Sequence, residues 1–249
     1  MSGIDATTHL TNVHLTDSDG DIDTGAGSEV GGIEDRPTLR GWFHVVSFFV
    51  FLVVAPWLLL ESPSVGATIS LLIYIASMLA LFGVSGLFHR VRWAPKARRR
   101  MRRLDHSTIF IAIAGSYTAV AGLVLLGTPR LEILLVVWVG GVIGIIQRQL
   151  WIDAPKWVNA IPYIVVGWSA LLVLPPLFHV LGVAGFAWLM AGGLFYTIGA
   201  VAYSLKRPNP IPGVLGYHEV FHAGTVLGAL CHFVVVAFFA LPLARAAAG

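Results

Sequence analysis

From residue 43 onward the chain reads as long apolar runs broken by short polar or basic segments. Seven runs reach the roughly 20 residues a helix needs to cross a bilayer. They cover about 43–61, 66–89, 106–126, 131–150, 159–178, 183–204 and 215–243. Only Gly127-Thr-Pro-Arg parts the third from the fourth, which predicts a tight helical hairpin. The expected fold is all-α: a polytopic membrane protein with seven transmembrane helices over residues 36–249. Residues 1–35 differ in kind. They are polar, rich in Gly, Ser and Thr, and acidic (Asp17, Asp19, Asp21, Asp23, Glu29, Glu34, Asp35). Such a segment buries too little apolar surface to offset chain entropy, so it is read as a disordered tail. It lacks the basic start and early apolar core of a signal peptide.

Composition agrees. Hydrophobic residues make up 57% and charged residues 12% of 249 positions, and mean hydropathy is +0.81. A soluble domain averages about a quarter charged. Cys231, the single cysteine, lies in the last run, so no internal disulfide can form. Pro56, Pro162, Pro175 and Pro176 read as kinks or ends of helices. Gly140-Gly141 and Gly192-Gly193 read as points of close helix approach, and Trp42, Trp57, Trp151 and Trp157 as interfacial anchors.

Charge gives an orientation. On the seven-run map, fourteen of sixteen Lys and Arg fall on one side: Arg36, Arg40, the eight from Arg90 to Arg103, Arg148, Lys156, Lys206 and Arg207. Arg130 and Arg245 fall on the other. Cytoplasmic loops carry the excess of cations, so the N-terminus is expected inside and the C-terminus outside, in the cell (plasma) membrane. The run KARRRMRR (Lys96–Arg103) reads as a membrane-surface anchor that meets anionic head groups, with no nucleic-acid partner.

Ionisable side chains at membrane depth are costly and are candidates for function. His89 ends the second run, one turn after Ser85. Asp105 and His106 open the third, and HEVFH (His218–His222) opens the seventh. By the topology above, His89, Asp105, His218 and His222 all lie at the cytoplasmic end of their helices. Each has a plainer reading: Asp105 as an N-cap, His89 as a basic residue at a helix C-terminus. Two imidazoles one turn apart chelate a metal without strain, and the shared depth of four such residues points to a metal site. Glu219 is rotated about 100° from His218 and would face solvent or the basic loops. His232 lies about 21 Å beyond His218 along the helix, too far to share its ligand shell.

HEVFH matches the HExxH pattern of zinc proteases. That chemistry needs a further ligand downstream. No acid follows Glu219, and position 228 is Gly where one class needs His. The third ligand must come from elsewhere, and His89 is at the right depth. A haem carried by histidine pairs would leave Asp105 without a role. A retinal Schiff base is excluded on this map because Lys96, Lys156 and Lys206 fall in loops.

Three segments together resemble one family. SGLFHR (Ser85–Arg90), LDHSTIFIAIAGSYT (Leu104–Thr118) and GYHEVFHAGTVLGALCHF (Gly216–Phe233) resemble the hemolysin III family, part of the progestin and adipoQ receptor (PAQR) family that includes adiponectin receptors. The resemblance spans about residues 36–245. It implies seven helices, N-terminus inside, with Zn2+ in the cytoplasmic half. It implies His89, His218 and His222 as ligands, Asp105 reaching the metal through water, and Ser85 as the serine of the SxxxH motif. The acid at Glu219 is not fixed in that family. Three imidazoles with an open position suit catalysis. Related alkaline ceramidases imply hydrolysis of an amide or ester in a lipid, with membrane lipids as partners. The rival expectation is a non-enzymatic sensor, or a pore-forming hemolysin, with structural zinc.

Overall fold

The computed structural model describes residues 37–249. The acidic stretch read as a tail, and Arg36, lie outside the described residues. The fold is helical: α1 (Trp42–Leu60), α2 (Val65–Arg90), α3 (Pro95–Val124), α4 (Gly127–Leu150), α5 (Lys156–Gly167), α6 (Leu174–Leu205), α7 (Tyr217–Val235) and α8 (Leu241–Ala248). A 3-10 segment, Trp168–Val173, joins α5 to α6, and a π-helical turn, Val236–Ala240, joins α7 to α8. One antiparallel bridge, Ile211 to Leu215, shapes the loop before α7.

Among the described residues, six continuous helical runs are long and apolar enough to cross a membrane. Five correspond to single expected spans. The sixth, Lys156–Leu205, is 50 residues long and covers two of them. At 1.5 Å per residue it would extend about 75 Å, against a hydrocarbon core of about 30 Å. It is not one regular helix. The 3-10 segment interrupts it, and Gly182, at φ 64° and ψ 178°, leaves the helical region altogether. That conformation is open in practice only to glycine, and it falls between the expected fifth and sixth spans.

α1, α2 and α4 begin and end close to the expected boundaries, and the α3–α4 hairpin is present. Its turn is Leu125-Leu126, and the Gly-Thr-Pro-Arg segment forms the first turn of α4. α3 departs further from expectation. It starts at Pro95, so the basic run is helical. Proline suits a first helical position, and Ala, Lys, Arg and Met are strong helix formers. Asp105 therefore lies inside a helix, and N-capping does not account for it.

From α1 to α7 each helix packs on the next, α7 returns to α1, and α3 also meets α5, α6 and α8. The outward faces are apolar: Val53, Leu60, Ile143 and Leu150 are exposed. On a water-soluble protein so large an apolar surface would be a liability, and in a bilayer it is the solvated face. Trp42, Trp57, Trp151 and Trp157 are exposed near helix ends, as belt residues are. Gly192 leaves room for the His232 ring, as its place in a glycine pair suggested.

Candidate metal centre

α2, α3 and α7 bring the expected residues together. His89 is in the last turn of α2. His218 and His222 are in the first two turns of α7, spaced to share a face. All three rings are buried. Nε2 of His218 is 3.3 Å from Nε2 of His89, and one ligand atom from each of the three rings lies within 4.8 Å of the others. Asp105 Oδ2 is 4.0 Å from His89 Nε2. Ser85, one turn before His89, lines the same cavity as Asp105, His218 and His222. The space there admits about two water molecules.

The donor set fits a metal ion. Two imidazole nitrogens bound at about 2.0–2.1 Å on a tetrahedral centre stand about 3.3 Å apart, the separation of His89 and His218. Three neutral imidazoles with a carboxylate nearby suit zinc among the common divalent ions. His89, His218 and His222 would hold the ion, and Asp105 would stand beside it.

Sequence reasoning missed several participants. His44, on α1, is buried and stacks on His222 with ring centroids 4.1 Å apart. It lies near the start of the first apolar run, level with the others, and that was its signal. Glu219 does not face solvent. It is 1% exposed, pairs with Arg40, and accepts a hydrogen bond from the Gly216 N–H at 2.8 Å, capping α7. A carboxylate there needs a cation because burial of a lone charge is costly.

Other cations from the basic segments are buried too, Arg102 among them. Arg148, in the last turn of α4, is fully buried and donates to Asn159 Oδ1 and His106 Nδ1. Lys156, the first residue of α5, donates to Tyr217 Oη at 2.7 Å and sits over the Tyr203 and Tyr217 rings. His232 is not in the cluster. Its Nε2–H donates to the Leu189 carbonyl at 3.3 Å, and it lines a separate cavity with Tyr117 and Trp168.

Fold and site define an integral membrane protein, helical and polytopic, with three convergent histidines buried at one end of the bundle. Residues 34–233 match the sequence model of the family described as "Haemolysin-III related"; the chain belongs to that family. It is 30% identical to "Hemolysin-3" of Bacillus cereus over 178 residues, 72% of this chain and 78% of that protein. It is 28% identical to the human "Monocyte to macrophage differentiation factor" over 168 residues, 66% and 67% of the two chains. A segment of 50 residues is 44% identical to "ADIPOR-like receptor IZH2" of Saccharomyces cerevisiae, 18% of this chain and 16% of that one. No solved structure matches the chain.

Proposed function

We propose that this protein is a zinc-dependent intramembrane hydrolase. It acts on the amide or ester bonds of membrane lipids near the cytoplasmic face and serves membrane lipid homeostasis. One observation carries the reading: His89, His218 and His222 converge within 4.8 Å, with Asp105 and Ser85 on a shared cavity. The matching topology has seven crossings, N-terminus inside and C-terminus outside. The break at Gly182 in a run too long for one crossing supports the count, and the cation asymmetry supports the orientation.

When bound, zinc supplies Lewis acidity toward a carbonyl oxygen and toward water. The Asp105 carboxylate accepts a proton from the water that adds to the carbonyl carbon. It returns that proton to the leaving amine or alcohol as the C–N or C–O bond breaks. The Ser85 hydroxyl donates a hydrogen bond to the carbonyl oxygen as negative charge grows there. The test is fatty-acid release from N-acyl and O-acyl lipids by purified protein in detergent or vesicles. Zinc-dependent release is expected. Fully zinc-loaded protein that cleaves neither class would overturn the reading.

A second reading keeps the ion and drops the chemistry. Zinc then braces α2 and α7, and the protein is a membrane-state sensor, receptor-like protein or pore-forming hemolysin. The names of its relatives, "Hemolysin-3" and "ADIPOR-like receptor", favour it. Bound zinc with no lipid cleavage, and leakage of dye-filled vesicles, would be its signature.

A further inference from the structure

Three residues around the start of α1 each touch a different part of the histidine cage. Arg40 pairs with Glu219, the neighbour of His218. Gly41 has φ 79°, and a Cβ built on it would lie 2.7 Å from the His89 Cβ. His44 stacks on His222 at an interplanar angle of 26°. Just before them, Thr38 and Leu39 N–H groups donate to the Gly213 and Val214 carbonyls at 3.0 and 3.3 Å, tying this segment to the loop that leads into α7.

Arg40 lies two residues before α1, Gly41 breaks the helical path at φ 79°, and His44 lies in the first turn of α1. Glu219 and His222 are three apart on α7 and share a face. The segment that opens α1 therefore meets α7 in two rungs, one ionic and one aromatic. Between them, Gly41 lets the backbone pass against His89.

The aromatic rung answers a problem in the cage. A ligating histidine ordinarily donates its second ring N–H to an acceptor, which fixes the ring plane. Nδ1 of His222 is buried and meets no hydrogen-bond partner among the described residues, and the same is true of His218 Nδ1. Something other than a hydrogen bond must hold the His222 ring, and the His44 face lies against it. Both ring nitrogens of His44 are likewise buried with no hydrogen-bond partner among the described residues, so what it offers His222 is its face.

We propose that the start of α1 is the positioning element of the metal centre: Arg40 anchors the first turn of α7, Gly41 admits His89, and His44 sets the plane of the His222 ring without ligating. This rests on the three-histidine metal reading above.

The test uses the full chain in detergent, as wild type, His44→Phe, His44→Leu and Gly41→Ala. Zinc retention is measured by mass spectrometry during titration with a chelator. Cobalt is loaded in parallel, because its visible bands report coordination geometry. His44→Phe keeps a ring face and is expected to hold zinc within about twofold of wild type, with unchanged cobalt bands. His44→Leu fills the space without a ring face and is expected to weaken zinc about tenfold or more, with altered bands, the range for residues that orient metal ligands. Gly41→Ala is expected to weaken it similarly.

Leucine and alanine variants that hold zinc like wild type would overturn the proposal. So would a folded His44→Phe that loses zinc, and this arm decides even where the other variants fail to fold. A wild type that binds neither zinc nor cobalt would overturn the metal reading itself. Wild-type binding with indifferent variants would overturn only the role of α1.

Discussion

His89 and His218 are 129 positions apart in the chain, and their Nε2 atoms are 3.3 Å apart. The end of α2 and the start of α7 must meet at one depth for this to happen, and α1 lies against both. A metal ion held there would join helices from opposite ends of the sequence.

Asp105 stands beside the cage without belonging to its three-histidine donor set. Asp105→Asn is expected to retain most of the zinc while hydrolysis falls about 10²–10⁴-fold, the usual contribution of a proton-transfer residue. Metal content and fatty-acid release measured on the same preparation check this. Equal loss of zinc and activity would make Asp105 a ligand.

Glu219 is buried against Arg40. Arg40→Gln leaves a buried carboxylate unpaired and is expected to destabilise the protein by about 3–5 kcal/mol. Arg40→Gln with Glu219→Gln removes both charges and should recover much of that loss. Thermal unfolding in detergent reads both. A single variant as stable as wild type would show that the pair contributes nothing.

Gly182 is the break in the long α5–α6 run. Gly182→Ala forces a side chain into a strained backbone region, at a cost of about 1–3 kcal/mol. A lower melting temperature is expected. An unchanged one would mean that the run straightens there without penalty.

The number of crossings can be read from labelling. In a Cys231→Ala background, a cysteine at Arg99 and one at Ala247 should label from opposite sides of sealed vesicles if there are seven crossings. If residues 156–205 cross only once, both label from the same side.

The helices were legible where apolar length alone decides them. α1, α2 and α4 follow their runs closely, and the gap between the expected fifth and sixth spans coincides with Gly182. The three convergent histidines were legible because His89, His218 and His222 are polar residues in apolar surroundings. What escaped was the burial of cations. Arg40, Arg148 and Lys156 fall on the expected cytoplasmic side of the sequence map, yet each is buried, held by Glu219, by Asn159 and His106, or by two tyrosines. A one-dimensional map sets depth but not the face a side chain takes, and the partners are distant in sequence. The reach of α3 back to Pro95 escaped for another reason. A basic helix outside the bilayer has no apolar run to announce it.

The most direct measurement is the metal content of protein purified without chelator or added zinc, beside His89→Ala and His222→Ala. About one zinc per wild-type chain, largely lost from both variants, is the expected result. Wild-type protein free of zinc, or variants that keep it in full, would contradict a three-histidine zinc centre and the hydrolysis built on it.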